Sequence, residues 1–387
     1  MSGGTVDRPT ELGIPLEGAI TADAVEEALA RSWQQVRLAQ GDTQPIVRAS
    51  VLSLIVCVVD PTATRRALQA IQHLSRQHPS RTIILLPDLK TGGPEINVWH
   101  ATGFANGSDQ ERVVFGEQVS IAARGSAISY LPSLTDQLML TDLPSFLWWV
   151  GDLSAARSEL LDRLTSLADR LVTDSSDFRA LGASMDQLYR LARRRHQPCA
   201  PSDLNWARLT LWRELIAQFF DSPAARPYLY HLDDVTVEYG TPGGAGPAQA
   251  CLLVSWLARQ LGWRLDESPS VQPGGGASDR LRRPDGGMVR ASLRPMPGQA
   301  VDGVARVSLG AGRVARFLAV REDSSGHVLT EADVSGAPTL RRIARSEAPD
   351  LSSLLADEMM LFQRDHVYET SLRLAVDLSD GIRGTQR

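Results

Sequence analysis

Three stretches of this chain are built on continuous apolar runs rather than on alternating apolar and polar residues: "SVLSLIVCVVD" (50–60), "RTIILLPD" (81–88) and "PSFLWWVGD" (144–152). A strand with one wet face alternates with a period of two, so consecutive Val, Ile and Leu demand cover on both faces. Each run is about half the length a bilayer-spanning helix needs. Helix-periodic stretches lie between them. "PTATRRALQAIQHLSRQHP" puts Ala67, Leu68, Ile71 and Leu74 on one face, and "SAARSELLDRLTSLA" follows the third run. A fourth strand, "DRLVTDS" (169–175), precedes a helix striped by Phe178, Leu181, Met185, Leu188 and Leu191. "INVWHATG" and "RVVFGEQVSIAARG" read as two strands with a bend, and "SAISYLPSLTDQLML" as a helix. The alternation predicts an α/β fold with a doubly wound, mostly parallel, Rossmann-like sheet.

Upstream, residues 1–20 read as a loose terminus and a helix follows from Thr21 to Ala39, with Thr21 as its cap and Val25, Leu29, Trp33 and Val36 as its stripe. Tail and helix together occupy 1–44, and the Rossmann-like domain 45–225. The pattern restarts after "DSPAARP". "YLYHLDDVTVEYG" (228–240) reads as a strand, "AQACLLVSWLARQLGW" as a strongly apolar helix and "WRLDE" as a short strand. "VRASLRPMP", "GVARVSLGAG" and "RVARFLAVRED" alternate with a period of two, as antiparallel strands with one wet face do. "SLLADEMMLFQRD" and "VYETSLRLAVDLSDG" close the chain as helices. Residues 226–387 are therefore expected to form a smaller α+β domain with a mixed sheet. Its Gly- and Pro-rich segment 268–287 is expected to be a mobile loop.

Composition excludes some functions. A net charge of −5 over 387 residues does not suit a nucleic-acid binder that relies on bulk charge. Lys90 is the only lysine, which leaves Schiff-base or lysine-base chemistry a single donor, in the loop-like "DLKTGG". Cys57, Cys199 and Cys251 are far apart and show no metal-ligand spacing, so a structural zinc site is not expected and the thiols read as reduced, in a cytoplasmic protein. The first residues show no secretory pattern.

Phosphate-cradling motifs are missing from the expected places. There is no P-loop, and the first strand runs into "VVDPTATRRA", where Asp60 and Pro61 read as a helix start rather than a dinucleotide fingerprint. "TPGGAGPAQA" does follow a strand and open a helix, so Gly243 and Gly244 could present backbone N–H groups to an anion. The basic run 190–196, with Arg190, Arg193 and Arg194, could supply the cations, although cations at a helix end also complement its dipole. Together these features define an alternative reading, a phosphosugar- or nucleotide-binding enzyme or sensor built on the 241–247 turn and the 190–196 arginines. There is no nucleophile elbow, and the seven histidines show no metal spacing. In "HLDD" (231–234) a strand would put His231 and Asp233 on one face, which reads as a sheet-edge ion pair. The residues define no catalytic, cofactor-binding or metal-binding set.

Aromatic residues say more. Trp148 and Trp149 would point to opposite faces of one strand. In "SDLNWARLTLWRELIAQFFD" (202–221), Trp206, Leu209, Arg213, Ile216 and Phe220 lie along one helical face. Leu204, Leu211, Leu215 and Phe219 lie on the next. A helix apolar on two faces packs against two surfaces, either the two domains of this chain or one of them and another protein.

The blocks "RTIILLPD", "LPSFLWWVGDL", "LVTDSSDF" and above all "DLNWARLTLWRELIAQFFD" resemble the glucose-6-phosphate dehydrogenase assembly protein family, OpcA, of cyanobacteria and actinobacteria. The resemblance covers roughly residues 45–380 and is densest from 140 to 221. It implies a non-catalytic cytoplasmic protein with no cofactor, metal, nucleic acid or membrane in its action. Such a protein would bind glucose-6-phosphate dehydrogenase, act as its allosteric activator and favour its active oligomer in the oxidative pentose phosphate pathway. The expected contact surface combines exposed aromatics with arginines: Trp206, Arg208, Arg213 and Glu214, with Trp148 or Trp149 nearby. The chain departs from the family at Leu211, where proline is usual. It also has no cysteine after Cys251, whereas cyanobacterial members are associated with thiol control toward the C-terminus.

Overall fold

The computed structural model describes residues 12–40, 47–48, 50–90, 92–105, 114–155, 158–194, 199–241, 243–266, 270–271, 277–297, 301–322, 326–346, 349–361 and 363–383. They divide into two units. The first is Met1–Thr173 with Arg195–Ala200 and Leu351–Phe362; the second is Asp174–Arg194 with Pro201–Asp350 and Gln363–Arg387.

The first unit holds β1 (Ile14–Pro15), α1 (Ala22–Gln40), β2 (Val47–Arg48), β3 (Leu52–Val58), α2 (Thr64–Gln77), β4 (Ser80–Asp88), β5 (Glu95–Ala105), β6 (Val114–Arg124), α3 (Leu131–Leu138), β7 (Ser145–Val150), α4 (Ser158–Thr165) and β8 (Arg170–Thr173). Its sheet runs β1-β5-β6-β4-β3-β7-β8, with β2 beside β6. From β6 to β8 all neighbours are parallel. The hairpin β5–β6 is antiparallel, and so is β1 on β5. Every residue of β3 and of β7 is buried, as continuous apolar runs require. Thr21 caps α1 by accepting from the Ala24 N–H at 3.2 Å.

The expected loose terminus is only partly so. Leu12 is buried, Leu16 N–H donates to the Val98 carbonyl, and β1 adds to the sheet; residues 1–11 lie outside the described residues. A buried ion pair ties α1, β4 and β6 together. Arg81 binds Glu117 at 2.6 Å and also reaches Glu26, while Trp33 Nε1–H donates to Glu117 at 2.6 Å.

The second unit holds α5 (Leu181–Ala192), most of β9 (Ala200–Asp203), α6 (Leu204–Ala207), α7 (Thr210–Gln218), β10 (Asp234–Gly240), α8 (Ala245–Leu261), β11 (Arg264–Leu265), β12 (Ser270–Val271), β13 (Ala277–Arg282), β14 (Met288–Met296), β15 (Gly303–Ala311), β16 (Ala315–Glu322), β17 (His327–Val334), β18 (Leu340–Arg345) and α10 (His366–Arg383). Between β18 and α10, α9 (Leu351–Met359) belongs to the first unit. The second sheet runs β11-β13-β14-β10-β15-β16-β17-β18. It is antiparallel except for β10 on β14. Helices α8 and α10 pack on each other and on this sheet, and α5 packs on α10. Along β16 and β17, side chains alternate between the helix-covered core and a wetter outer face.

Three expectations change. The contacts place 174–194 and 201–225 with the second unit, not the first, because α5 meets α10 and α6 meets α8. Within the expected mobile loop, 277–282 is a strand: Leu281 and Asp279 point inward and Arg280 and Arg282 outward, while 283–287 is a tight turn. Residues 272–276 lie outside the described residues. The segment 228–240 is strand only from Asp234, since a 3-10 turn with Pro227 in its first positions runs over Arg226–His231.

Candidate functional site

The family-like block builds the core of a polar network inside the second unit. Asp203 ends β9 and caps α6, its Oδ1 accepting from the N–H groups of Asn205 and Ser175, both at 2.9 Å. Asn205, fully buried, donates from Nδ2 to Ser175 Oγ (3.1 Å) and to the Ala245 carbonyl (3.2 Å). Its Oδ1 accepts from Gln249 Nε2 at 2.7 Å, and Gln249 Oε1 accepts from the Val304 N–H at 2.9 Å. One asparagine thus joins α6, α8 and, through Gln249, the start of β15. Beside it Arg208 grips Asp174 through two bonds of 2.8 Å, and Asp174 also accepts from the Ser176 N–H and hydroxyl.

Electrostatics follow from this burial. Desolvation opposes the charge on Asp174, but the Arg208 guanidinium and the Ser176 hydroxyl hold its pKa below the usual carboxylate range. Asp203 has no such cation. Burial first, and the nearby Asp174 charge second, push it up to about 7, and its Oδ2 has no hydrogen-bond partner. Burial also pulls the Arg213 guanidinium down to about 10.

The expected single helix 202–221 is two, α6 and α7, broken at Arg208–Leu209. The Leu209 N–H turns back to the Trp206 carbonyl, three residues away, and the Thr210 hydroxyl captures the Ala207 carbonyl at 2.8 Å. Trp206 is buried, its Nε1–H donating to Asp365 (2.8 Å), its ring 5.5 Å from Tyr368 and its face covered by Arg213 at 3.7 Å. Trp212 is buried below Arg321. Phe219 and Phe220 both contact Phe317 of β16.

The residues expected at a partner surface are therefore differently placed. Trp148, Trp149 and Trp206 are each 5% exposed or less, so these indoles are interior and do not supply exposed aromatics. Arg208 and Arg213 are half-buried and engaged within the chain, and Glu214 alone is exposed.

The anion-site residues do not converge on an open site. Gly243 and Gly244 adopt positive φ, as a turn closing onto a helix needs, but the carboxylate there is the chain's own. Asp302 Oδ1 accepts from the Ala245 N–H at 3.2 Å, and a Cβ on Gly243 would strike Asp302 Oδ2. Arg190 pairs with Asp186 at 2.6 Å, and Arg193 donates to the Tyr189 hydroxyl. Arg194 closes the same turn by bonding the Leu191 carbonyl through its N–H. Arg195, His196 and Pro242 lie outside the described residues. His231 and Asp233 do not share a strand face either; Asp233 accepts from the Gly312 N–H at 2.9 Å.

In the first unit the strand order reverses between β3 and β7, the position where open α/β sheets bind ligands beyond their carboxyl ends. Carboxylates stand there. Asp60 accepts from the Thr62 N–H (3.0 Å) and Asp152 from the Ser154 N–H (3.1 Å). Asp88 does the same for Lys90 at the end of β4. The same turn recurs in the second unit at Asp174 and Asp203. Each aspartate uses backbone N–H groups that a glycine-rich loop would offer to phosphate.

Two family models divide the chain between them. One, described as the glucose-6-phosphate dehydrogenase subunit N-terminal domain, matches residues 71–190; the other, the C-terminal domain of the same subunit, matches 199–372. The chain belongs to the OpcA family. Of the OpcA relatives, the OxPP cycle protein OpcA of Synechococcus elongatus is 26% identical over 379 residues, covering 94% of this chain and 78% of that one. The counterpart from Synechocystis sp. is 26% identical over 276 residues, and that match spans 69% of this chain and 56% of the relative. Among solved structures, a 3-ketoreductase from Actinomadura kijaniata superposes with a TM-score of 0.48 at 12% identity, covering 86% of this chain and 97% of that one.

The OpcA network residues escape a sequence reading unequally. Asp203 and Asp174 could have been found, because each stands at the end of a strand with a polar residue two positions on (Asn205 and Ser176), as Asp60 does with Thr62. Gln249, Asp302, Asp365 and Tyr368 lie 44 or more residues from the nearest network partner given above and carry no local pattern. Among the described residues no group of three His, Cys, Asp or Glu could hold a metal ion, and no helix is long and apolar enough to cross a membrane. All three cysteines are buried, and burial pushes the Cys57 and Cys251 thiols up.

Proposed function

We propose that this chain is a non-catalytic cytoplasmic assembly factor that binds glucose-6-phosphate dehydrogenase and acts as its allosteric activator by favouring the active oligomer. The match of both halves to models described as subunit domains of that dehydrogenase carries the reading. The geometry supports it: the block that most marks the family is committed to internal bonds, and the switch point is headed by aspartates. An activator of this kind shifts the oligomer equilibrium only by binding the active form more tightly than the inactive one.

The test is to mix the purified chain with the cognate dehydrogenase, then measure its apparent substrate affinity and the mass of the assembly. Co-elution with a raised substrate affinity is expected; no co-elution and no kinetic change would overturn the reading. The phosphosugar or nucleotide reading is weakened by Asp302, which occupies the turn that the ligand's anion would need.

A further inference from the structure

The second sheet ends at β18, and no strand among the described residues lies beyond it. The Ser346 N–H donates to the Gly326 carbonyl at 2.7 Å, and the pairing runs on through Val328↔Ala344 and Thr330↔Arg342. Hydrogen-bonded and non-bonded pairs alternate along an antiparallel ladder. Ala344 and Arg342 therefore turn their backbone groups toward β17, while Arg341 and Ile343 turn theirs to the open edge.

This edge is not blunted on its faces. Ile343 is 68% exposed and Leu340 44%, against core neighbours at a few per cent. Ile343 lies opposite Leu329, which lies opposite Val320, so an apolar stripe runs to the edge on the outer face. On the other face a slot opens between α7 and β18, lined by Leu215, Phe219, Thr330, Ala332, Leu340 and Arg342. Free main-chain groups with a slot for alternate side chains are what strand addition uses: the backbone supplies affinity and the slot specificity.

Charge selects the occupant. The strand "LRRIAR" carries Arg341, Arg342 and Arg345 and no acid, although Arg341 also pairs with Glu331 of β17 at 2.7 Å. A second copy adding edge to edge would set three arginines against three, and like charges across a ladder are destabilising. An extended segment bearing carboxylates complements it.

We propose that β18 takes up an extended, acid-bearing segment of glucose-6-phosphate dehydrogenase as an added strand, one small apolar side chain entering the slot and acidic side chains meeting the arginines. This rests on the reading of the chain as a partner of that enzyme.

Ile343→Pro tests the backbone part. Its N–H faces outward, so proline removes it without costing a bond to β17. The variant Arg342→Glu tests the charge part on an exposed side chain that lines the slot. Affinity for the immobilised dehydrogenase and the melting temperature are measured for each. Binding weaker by about tenfold or more, with a melting temperature close to that of the unmodified chain, is expected for both. If the proline variant fails to fold, the charge-reversed variant decides alone. If the unmodified chain binds and both variants bind equally well, the edge is not the contact and its arginines only guard against aggregation. If the unmodified chain does not bind, the reading under it falls as well.

Discussion

Arg208 holds Asp174 in a parallel two-bond grip, both bonds at 2.8 Å, with the carboxylate 4% exposed and the guanidinium 24%. This pair lies at the point where the chain leaves β8 and where α6 hands over to α7. Removing one partner leaves the other charge buried without compensation.

Arg208→Ala is therefore expected to cost about 3 to 5 kcal/mol in urea unfolding. Arg208→Lys should recover only part of this, because an ammonium cannot reproduce the planar fork. Equal stability of all three proteins would show that the grip contributes nothing.

Asn205 satisfies Ser175, Ala245 and Gln249 at once. Asn205→Ala should cost about 2 to 3 kcal/mol, chiefly through the buried groups left unmade. A denaturation midpoint unchanged from the unmodified chain would contradict this.

Asp203 gives the chain a pH signature. Its folded pKa, about 7, lies above the value near 3.9 of an unfolded aspartate. The folded state thus binds this proton more readily, and its contribution is fully present below about pH 4. It is lost as pH rises to about 7 and level beyond. Asp174 has the opposite sign, its contribution lost only as pH falls below about 4. Between pH 5 and 7 the unmodified chain should lose stability relative to Asp203→Asn at up to about 1.4 kcal/mol per pH unit. Parallel profiles for the two proteins would mean that Asp203 is ionised throughout.

Cys57, Cys199 and Cys251 are all buried. Alkylation of the native chain at pH 8 should be slower by orders of magnitude than in denaturant. Rapid labelling of the native protein would point to opening of one of these sites.

Much of the fold was legible because burial on both faces leaves an unambiguous pattern: β3, β4 and β7 are uninterrupted apolar runs. The hairpin β17–β18 was passed over. "HVLTEADV" and "LRRIAR" are short and polar, and only pairing, of β17 with β16 and of β18 with β17, makes them strands. At the site, Trp206 and Arg213 were expected on a surface, whereas Trp206 is buried with Arg213 over its ring. Periodicity cannot say that Asp365 and Tyr368, some 160 residues later, will cover that indole. The arginine run 190–194 misled for a related reason, since Asp186 and Tyr189, one helical turn back, engage Arg190 and Arg193.

The aspartates at the ends of β3, β4 and β7 have a consequence for the cell. Glucose 6-phosphate and nucleotides are anions, and a row of carboxylates at the sheet's carboxyl edge repels them. A glycine-rich turn at the same place would instead offer its backbone N–H groups to phosphate. With its own carboxylates on those N–H groups, this edge turns phosphorylated metabolites away at the position where open α/β sheets hold their ligands.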